Sequence, residues 1–377
     1  MWHNKKKDNY TFYKKRIFIT GNTGFKGSWL THILLSAGAE VTGYALEPPT
    51  SPSLFNIMNL SSHPNLRQVI GDVRDLDSLC VAFKQSKPEI VFHLAAQPIV
   101  RDSYRDPVKT YDTNVMGTVN ILECVRRVPG VKSFLNITTD KVYKNFEWEY
   151  GYRESDPLNG YDPYSNSKSC SELVTHSYKD SFFANGTVRI STARAGNVIG
   201  GGDFANDRII PDSIRAMKKA VDEGHDSGEI VVRNLHSTRP YQHVLEPLFM
   251  YLTIAIKQYK EAEFAGNYNV GPDDCDCVTT GDLVQLFCEK WNCCDNFPTA
   301  SWKSIAEKNA PHEASFLKLD TSRIKKVFGW KPCWHIDKAV EETVKFSKIW
   351  MSGGDVRTEM DREIQEYLNS SNFTYKF

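Results

Sequence analysis

The sequence lacks an excess of either charge: lysine and arginine total 46, and aspartate and glutamate also total 46, among 377 residues. Proteins that bind nucleic acids or membranes through basic segments need a surplus of positive charge. Long apolar runs are lacking as well, since the longest, from Leu248 to Ile256, is far shorter than the roughly 20 residues of a transmembrane helix. We therefore expect neither a nucleic acid nor a membrane as a partner.

An even set of cysteines is also missing, because nine cysteines cannot all form intramolecular disulfides. Cys80, Cys124 and Cys170 lie in predicted helices, which suits free thiols in a reducing compartment and predicts a cytoplasmic protein. Four others lie near one another in the sequence but fit no standard zinc spacing, so no metal is predicted. These four are Cys275, Cys277, Cys293 and Cys294.

The first half of the chain alternates strand and helix patterns. Residues 16–20 form a short apolar run that ends at a glycine, and an amphipathic helix follows at 25–37. Further strands are predicted at 40–45, 90–94, 134–138 and 188–193, with helices at 76–85, 108–127 and 163–183. Strands that alternate with helices of ten or more residues indicate a parallel sheet covered on both faces. The predicted fold class is α/β, a Rossmann-type doubly wound parallel sheet with a smaller C-terminal substrate-binding lobe.

A glycine-rich turn joins the first strand to the first helix. Gly21 permits the tight turn, Gly24 lets the backbone approach a pyrophosphate, and Gly27 lets the helix pack on the strand. The exposed amides and the positive dipole end of the helix then favour phosphate. Because the turn directly follows a strand, it predicts a dinucleotide site rather than a plain loop. Thr23 and Phe25 of this turn are assigned to the cofactor as well.

The sequence favours NAD over NADP, since no arginine lies at the end of the second strand to bind a 2′-phosphate. The acidic ribose anchor is less clear, because Glu40 precedes that strand and Glu47 follows it. Asp72, after the next strand, is expected to accept from the adenine amino group or, alternatively, to cap the following helix. The other predicted NAD-binding residues are Val73, Ala95, Ala96, Tyr164 and Lys168.

Tyr164 and Lys168 are four residues apart in a predicted helix and therefore share one face. A free tyrosine has a pKa near 10, too high for a base at neutral pH. A lysine charge about 4 Å away, at an effective dielectric of about 20, is worth about 4 kcal/mol, or roughly three pKa units. We therefore expect Lys168 to lower the pKa of Tyr164, which then takes a sugar hydroxyl proton while hydride leaves for NAD.

Thr139, Asp140 and Lys141 follow a predicted strand, so their side chains should open onto the crevice at the carboxyl ends of the strands. A sugar oxidation or epimerisation needs only the tyrosine, the lysine and a hydroxyl such as that of Thr139. Loss of water gives the other two side chains a role, as an acid at the leaving hydroxyl and a base at the adjacent carbon. A solvent-exposed Asp-Lys turn is the alternative.

Together these motifs resemble the extended short-chain dehydrogenase/reductase family that acts on nucleotide sugars, over about residues 16–330. The glycine turn and the Tyr164–Lys168 pair are typical of the whole family. Longer stretches are similar to the branch that dehydrates CDP-D-glucose, namely 20–29, 43–50, 93–98, 138–141, 194–203 and 238–244. The resemblance implies an NAD-dependent hydro-lyase that converts CDP-D-glucose to CDP-4-dehydro-6-deoxy-D-glucose.

The resemblance also implies roles for the catalytic residues. Tyr164 would remove the 4-hydroxyl proton with Thr139 sharing the hydrogen bond, and Asp140 would protonate the departing 6-hydroxyl. Many relatives have glutamate at the position of Lys141, and there the glutamate takes the carbon 5 proton. Lys141 is expected to take that role if its pKa falls by about three units through burial; alternatively it stays charged and steadies the enolate.

The resemblance also implies that the second lobe holds the nucleotide of the substrate, where arginine forks suit the diphosphate oxygens. For any single arginine, a surface ion pair is the alternative. The predicted substrate-binding residues are Gln97, Asn197, Arg208, Arg233 and Arg239. The resemblance further implies a homodimer or homotetramer, formed through helices near residues 108 and 163.

The predicted domain organisation has three parts. Residues 1–13 are expected to be a mobile tail, and residues 14–197 an NAD-binding Rossmann domain that is rejoined by 240–272. Residues 198–239 and 273–377 are expected to form the nucleotide-sugar-binding lobe.

Three other functions stay open. A 4-epimerase or reductase of the same fold would leave Asp140 and Lys141 without a role, and a dehydratase for another nucleoside-diphosphate hexose would differ only in its substrate. A non-catalytic dinucleotide-sensing regulator usually lacks the tyrosine–lysine pair, which this chain has.

Overall fold

The computed structural model describes residues 12–293, 296–305 and 316–371. The first part of the chain contains β1 (Arg16–Thr20), α1 (Phe25–Ser36), β2 (Glu40–Ala45), α2 (Leu54–Ile57), β3 (Leu66–Ile70), α3 (Leu76–Ser86), β4 (Ile90–His93), α4 (Val100–Arg105), α5 (Pro107–Tyr111), α6 (Gly117–Arg127), β5 (Ser133–Thr139), α7 (Pro163–Phe182) and β6 (Arg189–Ala195). The second part contains β7 (Asn197–Ile199), α8 (Ile209–Glu223), β8 (Ser227–Val232), β9 (Thr238–His243), α9 (Leu245–Lys260), β10 (Asn267–Val270), β11 (Cys277–Thr279), α10 (Thr280–Asn292), β12 (Thr299–Ser304), α11 (Ser322–Phe328), α12 (Ile336–Met351) and α13 (Val356–Ser370).

Seven of these strands form one parallel sheet in the order β10-β6-β5-β4-β1-β2-β3. The order reverses between β1 and β4, and in such sheets the ligand crevice lies beyond the carboxyl ends of the strands at this reversal. The predicted doubly wound α/β fold is therefore confirmed. The strand β10, which lies after the second-lobe elements β7 to β9, pairs with β6 and returns the chain to the large sheet.

Two apolar layers cover the sheet because its strands are buried on both faces. On one face the core includes Leu30 of α1 and Leu252 of α9, and on the other it includes Phe83 of α3 and Val125 of α6. The sheet thus presents its strand ends, rather than its faces, to the site.

The second lobe is built from two small sheets and the helices α8, α10 and α12. The sheets have the orders β11-β9-β7 and β12-β8, and the lobe has its own apolar core around Met217, Phe287 and Trp291. The helices α11 and α13 pack instead against the core of the large sheet through Ile324 and Ile364. By packing they belong with the large sheet, although the sequence prediction put them in the second lobe.

Three local predictions differ from the structure. Phe12 is fully buried in the core beside α1, so the predicted tail does not extend to it, and residues 1–11 lie outside the described part of the chain. The apolar residues 317–319 predict a strand, but they form only an isolated bridge, from Leu319 to Tyr152. The predicted helix 108–127 is divided by a π turn at 112–116, where Asn114 bonds to the backbone N–H of Gln97 at 2.8 Å and to Ser167 at 2.8 Å.

The cysteines that the structure describes carry free thiols, including Cys80 of α3 and Cys124 of α6, whose sulfur atoms face each other at 2.9 Å. Cys294, of the four clustered cysteines, lies outside the described residues. Within the described ranges no helix has both the length and the apolar character needed to cross a bilayer.

A buried ion pair joins α7 to β6 directly beneath the site. Arg194 donates to both carboxylate oxygens of Glu172, at 3.0 and 2.9 Å, and both side chains are almost fully buried. Replacing Glu172 with glutamine is expected to lower the free energy of unfolding by about 3–5 kcal/mol, because it leaves the Arg194 charge buried without its partner. Urea unfolding measures this, with Glu229→Gln of the exposed Lys303–Glu229 pair as control. An equal, small effect of the two substitutions would contradict the prediction.

Candidate active site

The glycine turn has the geometry that the sequence predicts. Gly21 has φ +77°, and a Cβ there would come within 2.7 Å of the Ala95 nitrogen. A Cβ on Gly27 would come within 2.2 Å of the Gly21 carbonyl oxygen, so the close approach of α1 to β1 requires this glycine. Any side chain at either position would force the turn open.

Gly24 differs from the other two glycines because the space beside it is open. A Cβ built there meets only the Gly21 oxygen, at 3.6 Å. Gly24 is also the N-cap of α1, and no side chain caps that helix among the residues described. The backbone N–H groups in the first turn of α1 are therefore unsatisfied and face the open space beside Gly24. This arrangement fits a pyrophosphate. The turn thus fits the predicted dinucleotide.

The other residues predicted for the cofactor surround this turn. The Thr23 hydroxyl donates to the Leu46 carbonyl at 3.0 Å and ties the turn to the end of β2, while Phe25 lines the cleft. Ala95 and Ala96 are half-buried after β4. Val73 is buried after β3, where Asn120 holds its carbonyl at 2.9 Å.

Asp72 is bound by a neighbouring arginine. Its carboxylate lies 2.6 Å from Arg74, which holds its pKa below the usual range, and it also accepts from the Arg74 backbone N–H at 2.9 Å. The cap of the following helix is Asp75, not Asp72. The alternative that Asp72 caps α3 is therefore wrong, and its contact with adenine stays a prediction.

Tyr164 and Lys168 lie on one face of α7, as predicted, but the expected pKa shift of Tyr164 is wrong. Burial raises the pKa of Tyr164 to about 12, and the groups that lower it are a hydrogen bond to Thr139 and the charge of Arg208. Lys168 is buried, its pKa is lowered to about 8 by burial, and its ammonium donates to the Ile137 carbonyl at 3.3 Å. The Coulomb interaction between the two groups does not set their pKa values. The cost of burying both groups, which the sequence does not show, has the larger effect on each pKa.

Thr139 and Asp140 form the centre of the site, at the end of β5. The Thr139 hydroxyl donates to Asp140 Oδ1 at 2.9 Å and is also hydrogen-bonded to Tyr164. The other carboxylate oxygen, Oδ2, is buried with no partner in the described structure. Burial raises the pKa of Asp140, although Lys141, Arg239 and Lys26 oppose the shift. A carboxyl group with a raised pKa and a free oxygen is suited to give a proton.

Two lysines line the cleft around Asp140. Lys141 follows it in the turn after β5 and is half-buried, so the predicted exposed Asp-Lys turn is not what forms. Lys26, in the first turn of α1, also reaches the cleft, and its charge acts on both Asp140 and Lys168. Lys26 is not among the residues that the sequence patterns predict for the site. The feature that could have indicated it is the Phe25-Lys26-Gly27 stretch, in which a lysine lies within the glycine turn.

The predicted substrate residues of the second lobe line the same cleft, which has a volume of about 380 Å³. Asn197 lies on β7 and Arg239 is buried on β9. Arg208 pairs with Asp203 at 3.0 Å, and Arg233 pairs with Asp207 at 2.9 Å. Arg208 and Arg233 thus form ion pairs and also line the cleft.

Gln97 is engaged within the large domain. Its side-chain amide donates to Thr110 at 2.9 Å, and its side-chain oxygen accepts from the Ile99 backbone N–H at 2.5 Å. Its neighbours Pro98 and Ile99 line the cleft. The side chain therefore supports the cleft wall, and direct contact with a substrate stays a prediction.

The arrangement brings a buried phenol, a carboxyl group of raised pKa and several cations to one cleft beside a dinucleotide cradle. The cations suit the phosphates of a nucleotide, and the phenol and carboxyl group can each move a proton. Such a site can couple hydride transfer to the loss of a hydroxyl group.

Comparisons with known proteins agree with this geometry. Residues 18–343 match the family model of GDP-mannose 4,6 dehydratase. The chain is 46% identical over 363 residues to CDP-glucose 4,6-dehydratase of Salmonella typhimurium, covering 95% of this chain and 97% of that protein. It is also 24% identical to dTDP-D-glucose 4,6-dehydratase of Mus musculus, with 89% of each chain covered.

Solved structures share the fold. A dTDP-glucose 4,6-dehydratase from Bacillus anthracis in complex with NAD has a TM-score of 0.69 at 21% identity, with 88% of this chain and 96% of that chain covered. A UDP-glucuronic acid 4-epimerase from Bacillus cereus has a TM-score of 0.73 at 21% identity, with 89% and 99% covered. Dehydratases and epimerases thus share this backbone, so the fold alone does not separate them.

Proposed function

Since the chain belongs to the GDP-mannose 4,6-dehydratase family, we propose that it is an NAD-dependent hydro-lyase that converts CDP-D-glucose to CDP-4-dehydro-6-deoxy-D-glucose. The 46% identity to a CDP-glucose 4,6-dehydratase over nearly the whole chain supports the substrate. The observation that carries the reaction type is Asp140, a buried carboxyl group with one free oxygen beside the Tyr164–Thr139 pair. An epimerase or reductase would not need that acid.

The glycine turn would hold the pyrophosphate of NAD, with Gly21, Gly24 and Gly27 shaping the cradle. Tyr164 lines the cleft where the sugar would bind, and Lys168 is buried one turn further along α7. When bound, NAD would supply the acceptor for the carbon 4 hydride and its return to carbon 6. The protein's own residues bind the sugar nucleotide and move the protons.

Tyr164 takes the proton of the 4-hydroxyl, and the resulting ketone makes the carbon 5 proton acidic. Because burial raises the pKa of Tyr164 to about 12, forming its phenolate would need added positive charge, which a bound oxidised NAD would supply. Asp140 protonates the departing 6-hydroxyl, which leaves as water. Thr139 donates to Asp140 at 2.9 Å and also opposes the rise in the pKa of Tyr164, so one hydroxyl acts on both side chains that move protons.

The cations of the second lobe would bind the diphosphate. Arg239 is buried at the cleft, and Arg208 and Arg233 are each held in place by an aspartate. Asn197 on β7 lines the same cleft as these arginines. Cation forks fixed in this way bind phosphate oxygens at a low cost in side-chain entropy.

Two further proposals concern the protein as a whole. Its free thiols support a reducing cytoplasm. A homodimer or homotetramer is supported by apolar side chains exposed on the helices around α5 and α7, of which Val108 is 78% and Leu173 54% exposed.

The test is a panel of CDP-, dTDP-, UDP- and GDP-glucose incubated with the purified protein in deuterated water. We expect CDP-glucose to give a product that has lost one water, carries deuterium at carbon 5 and absorbs as a 4-ketone in base. Mass spectrometry and absorbance in alkali measure these changes. Turnover of another nucleoside-diphosphate glucose would change the proposed substrate to that compound. Inversion at carbon 4 without loss of water would indicate an epimerase. No turnover of any sugar nucleotide would favour a regulator.

A further inference from the structure

A small cluster of side chains that commonly bind metals lies beside the second lobe, and none of its members lines the cleft described above. Cys275 and Asp276 belong to the short 3-10 turn that precedes β11, and His335 is the N-cap of α12. The Cys275 sulfur lies 3.7 Å from Asp276 Oδ2 and 3.8 Å from His335 Nδ1. Oδ2 and Nδ1 are themselves 2.9 Å apart. A thiol, a carboxylate and an imidazole therefore meet at one point.

The spacing of these three atoms fits a tetrahedral zinc ion. With bonds of about 2.3 Å to sulfur and about 2.0 Å to nitrogen and oxygen, the ligand atoms of such an ion lie about 3.3–3.6 Å from one another. The observed separations differ from these values by less than about half an ångström. The ligand types agree with zinc as well, because magnesium and calcium take oxygen ligands rather than thiolate and imidazole.

Asp276 is held in the orientation that such a site needs. It is 2% exposed, and its Oδ1 accepts from the Ile336 backbone N–H at 2.8 Å, which leaves Oδ2 facing the sulfur and the imidazole. A hydrogen bond to the second oxygen of a carboxylate fixes the direction of the first toward a metal. Cys275 and His335 are exposed, so a water molecule has access to the fourth position of the tetrahedron.

The spacing of the cysteines alone predicts no metal, because the histidine of this cluster is 60 residues from Cys275. Cys277 and Cys293 do not complete the cluster in its place. Their sulfur atoms contact backbone carbonyl oxygens, at 4.0 and 3.1 Å. Folding therefore brings together one cysteine, its neighbouring aspartate and a distant histidine, which no local pattern contains.

We propose that Cys275, Asp276 and His335 bind a zinc ion, with water as the fourth ligand. The ion takes the place of the Cys275 thiol proton and of the proton between Nδ1 and Oδ2, and these protons leave to solvent. It joins the turn before β11 to the start of α12. Because β11 pairs with β9, which carries the cleft residue Arg239, the ion also fastens one wall of the cleft. The proposal does not depend on the dehydration proposed above.

Cobalt(II) is a suitable probe of this site, because a thiolate ligand gives the ion a charge-transfer band in the near ultraviolet. The full chain, reduced and stripped of metal with a chelator, is titrated with cobalt chloride. We expect one ion per chain with that band, displaced by zinc and not by magnesium. Binding without the band, as the carboxylate cluster of Glu342, Glu359 and Glu363 would give, no binding at all, or displacement by magnesium would overturn the proposal.

Substitutions locate the ion. Cys275→Ser should abolish the band, whereas Cys293→Ser, at another exposed thiol, should keep it. His335→Asn should weaken cobalt binding by about 100-fold or more, since losing only the hydrogen-bond partner of a metal ligand costs about 10- to 100-fold. His225→Asn is the matched control, an exposed histidine that also faces a carboxylate, and should bind as wild type does. If Cys275→Ser kept the band, or His335→Asn bound cobalt as tightly as wild type, Asp276 would only pair with His335 and cap α12.

Thermal unfolding is a second, independent measurement. A ligand that binds only the folded chain raises its unfolding midpoint, so zinc chloride should raise the midpoint of the wild type and leave that of Cys275→Ser unchanged. Circular dichroism follows both transitions. An equal rise in the two proteins would place the zinc elsewhere and overturn the proposal. Neither measurement uses a sugar nucleotide, so a failure of the proposed function would leave these results unchanged.

Discussion

Phenylalanine at position 164 is expected to lower turnover by roughly 10³- to 10⁴-fold, at the upper end of what a general base contributes. The phenol is the group that takes the 4-hydroxyl proton, and without it carbon 4 cannot be oxidised. This defect stops the reaction before the 4-ketone forms, whereas a defect in elimination stops it afterwards. No reduced nucleotide should therefore appear when CDP-glucose is added, and rapid mixing with absorbance detection measures this.

Tyr251→Phe is the matched control for that substitution. Tyr251 is fully buried, and its hydroxyl has no hydrogen-bond partner among the residues described, so phenylalanine there removes an oxygen that bonds to nothing. Activity should stay within about twofold of wild type, since a hydroxyl without partners contributes little. If Tyr164→Phe still reduced the nucleotide at a normal rate, the phenol would not be the base, and Thr139 would have to be examined in its place.

Much of the fold followed from short-range patterns. The apolar patterns predict a strand at Glu40–Ala45 and an amphipathic helix near Ile336–Met351, and both elements form with these bounds because each pattern matches the period of its element. The division of the helix 108–127 did not follow, since the π turn depends on Asn114 bonding to Gln97 and Ser167, residues distant in sequence. The packing of α13 on the large core is likewise a long-range contact that local pattern does not contain.

The sequence predicted which residues form the site better than it predicted their pKa shifts. Spacing and strand position correctly indicated that Tyr164, Asp140 and Lys141 would meet in one cleft, and the family resemblance correctly added Arg239. The direction of the Tyr164 pKa was wrong because the sequence states which charges are near in the chain, whereas desolvation depends on everything packed around the group. Lys26 was missed for the same reason, since only the folded chain shows that its side chain turns into the cleft.

Asparagine at position 140 is expected to slow the loss of water by about 10²- to 10³-fold while carbon 4 is still oxidised. Asparagine has nearly the same shape as aspartic acid and can still accept from Thr139, but it has no acidic proton for the departing hydroxyl. Reduced nucleotide should therefore accumulate after CDP-glucose is added, which is the reverse of the result expected for Tyr164→Phe. Absorbance of the reduced nucleotide together with mass analysis of the sugar distinguishes the two variants.

The pH dependence gives a second test of the same acid. Because burial raises the pKa of Asp140, its proton is held to higher pH than an ordinary carboxyl group holds it, and the step that needs the proton should slow as pH rises above that pKa. The elimination rate should therefore fall on the alkaline side in wild type, whereas Asp140→Asn should not show this decrease. Asp140→Glu, which restores an acidic proton, should recover part of the rate. If Asp140→Asn eliminated water as fast as wild type, another group would be the acid, and the free carboxylate oxygen in the cleft would have no part in the chemistry.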